Sequence, residues 1–349
     1  MRRRGVIIAV VVALVCAVAA VAVWRLRGSG DSRFSAAVAL APTSAQRFSW
    51  TDWKGVRKEL GAHLSVDSSA DDVSALLQKA FDRDLSSTTA LDESAPTLQT
   101  SLGFSPASID WELFTQGKDG ALVIMGLPDS FDVGRLRKTL KAVGYDEPAQ
   151  ADGVWQGGVD LLEGLDGPVT PELAALQIDE EHHLLVGSDD ADFLARRTDL
   201  ARGDRDDGVA AVVAATGDAI TAATYTGDQA CTALAMSDAD GPDQTRAAEL
   251  IRAAGKVHPM TGFAMAGMPG GDVRVAMAFE DDAAARTDAD SRSKLADGPA
   301  PGQGGSFGDR FRLGKVAADG RVLTLELHPV PGAFVLSDLS TGPLLFATC

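Results

Sequence analysis

The chain has 349 residues, 45% of them hydrophobic, and 49 acidic side chains against 32 basic ones give a formal net charge of −17. That much apolar side chain supports a real core and excludes wholesale disorder. Five of the 32 basic residues lie in residues 1–27, where none of the 49 acidic ones occurs, so the remainder carries a net −22. Such a charge opposes binding to nucleic acid and to anionic lipid through a basic patch.

Val6–Trp24 is an unbroken apolar run without charge, Pro or Gly, preceded by Arg2, Arg3 and Arg4 and followed by Arg25 and Arg27. As a helix it spans roughly 28 Å, close to the hydrocarbon thickness of a bilayer. A helix is the single-segment solution there because it satisfies its own backbone groups. The run therefore reads as a transmembrane anchor, with residues 1–27 as cytoplasmic tip and anchor. The basic tip favours the N-terminus inside and the bulk of the chain outside the cytoplasm, as a single-pass protein of the cell membrane. A cleaved signal peptide is the alternative, with small residues at Ala17-Val18-Ala19 or Ser35-Ala36-Ala37 as cleavage positions. Cys16 reads as an ordinary apolar position of the helix, since Val15 stands where lipidation requires a small residue.

Residues 28–43, opening with Gly28-Ser29-Gly30, read as a linker. Gln46–Trp50 is strand-like, and Thr51 is a candidate cap for a short helix ending at Gly61. Ser68 or Ser69 opens a helix from Ala70 whose stripe is Val73, Leu76, Leu77, Ala80 and Phe81. A third helix, Ala95–Leu102, ends at Gly103. Then the period changes. Asp110–Gln116 and Ala121–Leu127 flank an Asp119-Gly120 turn, a hairpin signal. Ser130 is a candidate cap for the helix Phe131–Val143. A short strand falls near Val154–Gln156. A second hairpin, Leu173–Ile178 with Leu184–Val186, leads into the helix Asp190–Leu200, and residues 202–208 read as a boundary. Beyond it come a strand at Ala219–Thr226, a helix Pro242–Ala254, a hairpin Thr261–Gly267 with Val273–Phe279, and a helix Asp281–Ala296. A hairpin Phe311–Val316 with Val322–Leu327 follows, and the apolar segments Phe334–Leu336 and Leu344–Phe346 close the chain.

Helix, hairpin, helix, hairpin thus occurs twice. The predicted fold class is α+β: a transmembrane helix followed by two related units, residues 44–205 and 206–349, each a mostly antiparallel sheet covered by helices. The pattern argues against a doubly wound nucleotide-binding fold.

The layout resembles that of an uncharacterised family of bacterial envelope proteins with one N-terminal anchor and an external region of repeated helices and hairpins. Gln46-Arg47-Phe48-Ser49-Trp50, Leu102-Gly103-Phe104 before Trp111, and Ala174–Ser188 carry the resemblance. It implies a location and little chemistry.

Spellings of known motifs stand in the wrong contexts. Gly304-Gly305-Ser306-Phe307-Gly308 fits a nucleophile elbow, but Pro299, Pro301 and Gly302 precede it and a strand-like run follows. Ser291-Arg292-Ser293-Lys294 fits S-x-x-K without its partner motifs, and the chain contains no Asn. His182 and His183 are adjacent in a turn, where side chains point apart. His63, His258 and His328 are scattered, so no zinc spacing exists. Asp238-Ala239-Asp240-Gly241 is not an EF-hand, because Met236 and Ala247 fall on its first and last ligand positions. An irregular calcium site there or at Asp204–Asp207 stays open. Arg202-Gly203-Asp204 matches an adhesion tripeptide by spelling alone. No catalytic, cofactor-binding or metal residue is singled out and no cofactor is expected.

The expected function is a membrane-tethered extracytoplasmic interaction or envelope-assembly module without catalytic activity, with the membrane (through Val6–Trp24) and an envelope protein as partners and no nucleic acid. Two alternatives are a binding protein for an apolar or lipid-like ligand, with Phe263–Met268 as a place for close approach, and an envelope hydrolase with a carboxylate site. The external cysteines, Cys231 and Cys349, are expected to pair as a disulfide in an oxidising compartment.

Overall fold

A computed structural model of the chain describes residues 32–349. Its frame is one 11-stranded sheet. The strands are β1 (Ala45–Thr51), β2 (Trp111–Gly117), β3 (Gly120–Gly126), β4 (Val154–Gln156), β5 (Ala175–Asp179), β6 (Leu184–Ser188), β7 (Thr221–Thr226), β8 (Gly262–Gly267), β9 (Val273–Ala278), β10 (Phe311–Asp319) and β11 (Val322–Pro329). Their spatial order is β10-β11-β9-β8-β7-β1-β2-β3-β6-β5-β4. Every ladder between these strands is antiparallel. An antiparallel sheet covered by helices is an α+β architecture, as the change of period predicts.

At the centre, β1 pairs with β7, Trp50 facing Ala222 and Arg47 facing Tyr225. Outward from this seam, the N-terminal half runs β1-β2-β3 and then the β6–β5 hairpin, while the C-terminal half runs β7-β8-β9 and then the β11–β10 hairpin. The hydrophobic halves of the pattern therefore share one continuous sheet, with no edge exposed between them.

Helices cover both faces, so the strands are apolar on both sides. On β3, Val123 and Met125 join one core and Leu122 and Ile124 another. In the C-terminal half the two faces differ in side-chain size. Phe263, Met265, Val275 and Met277 pack beneath the helices Gly227–Ala233, Gly241–Ala254 and Asp282–Ala296. The opposite face offers Ala222, Ala264, Ala266, Ala276 and Ala278 to the helix Asp207–Thr216. Small side chains bring that helix close. A Cβ added at Gly262 would sit 2.5 Å from the Gly208 backbone, and one at Gly208 would collide with the Thr261 carbonyl. The Phe263–Met268 stretch is thus a helix–sheet contact, with Phe263 through Ala266 fully buried.

Several boundaries differ from the sequence reading. Residues 33–43 do not belong to a linker: Arg33–Val38 is a helix capped by Ser32, and it buries Phe34, Ala37 and Val38 against Trp50. Nor do residues 202–208 separate two bodies, because Arg205 donates to the Ala39 and Ala41 carbonyls and the helix Asp207–Thr216 begins at once. That helix is Ala and Val on all sides, which leaves no 3.6-residue stripe to read. The caps of Trp53–Glu59 and Val133–Val143 are Asp52 and Asp132, one and two residues beyond Thr51 and Ser130. Ser69 does cap Ala70–Phe81, in a reciprocal capping box with Asp72. Ala95–Thr97 continues as a π-helical turn, Leu98–Leu102, and ends at Gly103 with φ +76°. Leu344–Phe346 is not a closing strand. Leu345–Ala347 forms a 3-10 turn buried among helices, and Leu344 N bonds to Leu234 O.

Candidate functional site

Each half opens a cleft at a corresponding place, between the loop leading into its central hairpin and the start of the helix that follows that hairpin. The cleft of the N-terminal half has a volume of about 320 Å³. Its floor is Leu102 and Leu136, both buried, and half-exposed Leu64, Val66 and Phe131 form its walls. The π-helical turn builds one wall. It swings Gln99 inward, so that Gln99 Nε2 donates to Val66 O at 2.9 Å and Ser68 O at 2.7 Å, while its oxygen accepts from Ser105. The opposite wall is the first two turns of Val133–Val143, where Asp132 accepts from Arg135 N at 2.9 Å.

Arg57 lies at the base of this cleft, its side chain 13% exposed. Its Nη1 donates to Pro106 O at 2.5 Å and Ile109 O at 2.9 Å, so one nitrogen holds the loop before β2. The nearest carboxylate, Asp110, stands 4.0 Å from Nη2, and its other oxygen is 3.5 Å from Lys54 Nζ. Burial pushes the Arg57 pKa down, and Asp110 and Asp52 offset this only in part.

The cleft of the C-terminal half, about 620 Å³, is lined by Lys256, His258, Thr261, Glu280, Asp281 and Thr287 among others. Behind it lies a closed network. Asp288 accepts from His258 Nδ1 at 2.5 Å and from Arg292 Nε at 2.7 Å. Arg292 also donates to Phe346 O and His258 O, both at 2.8 Å, and its guanidinium lies 5.4 Å from the centre of the Phe279 ring. Asp288 and Arg292 are fully buried. The network locks the chain's last residues against the loop before β8.

Two further acids are pushed up to about 6 by burial, and both tie backbone in place. Glu112, on β2, accepts from Trp53 Nε1, Thr89 Oγ1 and Ala90 N. Asp84, at φ +55°, turns its carboxylate onto Leu336 N and Ser337 N of the other half. They share no hydrogen-bond partner, and neither lines either cleft.

Cys231 and Cys349 are brought to disulfide distance, Cα to Cα 5.5 Å across 118 residues of sequence. The motif spellings are structural. Ser306 caps the turn Phe307–Asp309 and donates to Gly298 O. Ser291 Oγ donates to Lys256 O, and Lys294 Nζ to Ala254 O. His182 bonds to Asp179, Asp240 caps Gly241–Ala254, and Arg202 pairs with Asp199. Among the described residues no group of three or more His, Cys, Asp or Glu is placed to hold a metal ion, at Asp204–Asp207 or elsewhere. Val6–Trp24 and Cys16 lie outside the described residues, among which no helix is long and apolar enough to cross a membrane.

Neither Arg57 nor the Asp288–Arg292 pair stood out in the sequence. The i, i+4 spacing of Asp288 and Arg292 was a weak signal on a helix rich in polar residues. Arg57 had none, since its partners are carbonyls about 50 residues away. Comparison with protein families, with curated proteins and with solved structures finds no match to this chain.

Proposed function

We propose that this chain is a membrane-tethered extracytoplasmic interaction module. Val6–Trp24 is its anchor, residues 1–4 stay in the cytoplasm, and the sheet and its helices stand outside. The approach of Cys231 to Cys349 carries this reading: two distant thiols held at bonding distance suit an oxidising compartment, where such pairs form and persist. The early start of the fold sharpens it. Only residues 25–31 separate the apolar run from Ser32, which limits the tether to about 25 Å. The body is therefore held within about one domain diameter of the bilayer, oriented toward partners in the same envelope. The strand order repeated on either side of the β1–β7 seam supports two related units that arose by duplication and fused their sheets. The surface offered to an envelope partner is the N-terminal cleft, which combines an open mouth with an apolar floor.

Protease added to intact spheroplasts tests the topology. It should digest residues 28–349 and leave a short anchored fragment. Full protection without detergent reverses the orientation and overturns the reading. A mature N-terminus near residue 37 favours the cleaved-signal alternative, although it would remove part of the helix Arg33–Val38. A photo-crosslinking residue at Ser130, on the cleft rim, should give a discrete adduct in cells where one at Thr245 does not. Equal labelling from both positions removes the cleft as the contact surface.

A further inference from the structure

We propose that the N-terminal cleft binds an apolar-tailed carboxylate, with the carboxylate on the free edge of the Arg57 guanidinium and the tail on Leu102, Leu136 and Phe131. This deepens the interaction reading above and rests on it for the cleft's role. Arginine presents five donors in a planar fork that matches a carboxylate bidentately. Here Nη1 is committed to two loop carbonyls, and the other edge, Nε and Nη2, has no hydrogen-bond partner. Of the two acids that act on it, Asp110 stands 4.0 Å from Nη2 and is shared with Lys54, and Asp52 pairs with Arg33. The result is a largely buried cation with incomplete neutralisation, which a bound anion would complete. The free edge faces the open cleft, where a ligand carboxylate can reach it.

Geometry around the cation fixes the rest of the ligand. Asp132 is occupied as a helix cap and Arg135 points to Asp67 at 3.1 Å, so the rim charges pair with protein groups. Apart from Asp110 beside the cation and the paired rim charges, the lining is apolar or small, with Leu102, Leu136 and Phe131 facing Ser65, Ser108 and Ser130. About 320 Å³ falls at the small end of ligand sites, which suits a carboxylate bearing a short acyl chain or one apolar residue. A free short-chain acid and the C-terminus of a peptide ending in Leu present this same chemistry.

Full-length protein in nanodiscs carrying Ser130→Cys reports occupancy through the rate at which the introduced thiol is alkylated. Hexanoate should slow alkylation at a concentration at least tenfold below that required of 1-hexanol, after subtraction of partitioning measured with empty nanodiscs. Acetyl-Ala-Ala-Leu with a free carboxylate should protect where its amide does not. Protection by the peptide at far lower concentration than by hexanoate identifies a polypeptide C-terminus as the source, and the reverse identifies a free acid. Adding Thr139→Trp, which puts a bulky side chain on the helix wall of the cleft, should abolish protection. Arg57→Lys keeps the charge but not the planar fork and should weaken it at least tenfold, with the fraction folded at the assay temperature checked by its melting curve. Equal protection by acid and alcohol, or protection that survives Thr139→Trp, overturns the proposal. Absence of protection by every probe also overturns it, yet leaves the interaction reading standing if the Ser130 photo-crosslink persists.

Discussion

The two clefts are answers to one problem posed twice by the same strand order. In each half the loop before the central hairpin is buried enough to need a donor for its carbonyls, and in each an arginine supplies it. In the C-terminal half the arginine is on the helix, is neutralised by Asp288 four residues earlier, and spends every nitrogen on the protein. In the N-terminal half Arg57 comes from the short helix Trp53–Glu59, hydrogen-bonds to no carboxylate, with Asp110 4.0 Å away, and spends one nitrogen in hydrogen bonds. A fully paired buried charge fixes a structure. A partly paired one beside an apolar floor retains capacity for a ligand. The difference in partners, more than the difference in volume, separates a structural cleft from a binding one.

The sharpest way to break this comparison is to remove Asp288. Asp288→Ala leaves Arg292 buried without a counter-charge and releases His258, and should cost about 3–5 kcal/mol. Denaturant unfolding checks it. Arg57→Met removes two hydrogen bonds but leaves no buried charge, so a smaller loss of about 1–3 kcal/mol is expected. Equal losses would mean that the two arginines are equivalent supports, and the contrast would fail.

The next effect concerns the tie at the end of the C-terminal half. Cys231→Ser with Cys349→Ser should lower stability by about 2–4 kcal/mol, in the range of a long closed loop. Leu344 through Ala347 should nevertheless stay docked, because all four are buried and Arg292 holds the Phe346 carbonyl. Hydrogen exchange at Leu344 N, which bonds to Leu234 O, separates these outcomes. Fast exchange there in the double variant would show that the covalent tie, not packing, seats the tail.

What the sequence made legible follows the same physical division. Both central hairpins were readable because their short apolar runs and turn glycines are local. The amphipathic helices were readable from stripes such as Val73, Leu76, Leu77 and Ala80. The helix Asp207–Thr216 was hidden because it is apolar all round, and Arg33–Val38 because six residues are too few to show a period. The cysteine pair was accessible to counting. The clefts were not, since Arg57 meets Pro106 and Ile109 across about 50 residues and Arg292 meets Phe346 across 54. Contacts of that kind are set by the sheet order, which no local pattern encodes.

A smaller effect on β2, beside the seam, depends on pH. Glu112 is pushed up to about 6 from 4.5, first by burial, against the three hydrogen bonds that it accepts. Below pH 4.5 both folded and unfolded chains hold its proton. Between 4.5 and about 6 the unfolded chain ionises first, so stability falls as pH rises, by about 2 kcal/mol at most. Above about 6 both forms are ionised and the loss is constant. Asp84, raised from 3.8 to about 6, falls in the same direction and over an overlapping window. Glu112→Gln retains an acceptor for Trp53 Nε1 or Ala90 N and cannot ionise, and the Thr89 hydroxyl can turn to accept from the new amide. Unfolding free energies measured at pH 4.5, 5.5 and 6.5 should therefore decline in the wild type and decline less in the variant, the remaining slope coming from Asp84 and the other raised acids, Asp52 and Asp92. The groups of the two clefts, Arg57 and the Asp288–Arg292 pair, are unchanged in that variant. An undiminished slope after Glu112→Gln would mean that the protein tolerates the ionised carboxylate on β2, and that Thr89, Ala90 and Trp53 satisfy it in full.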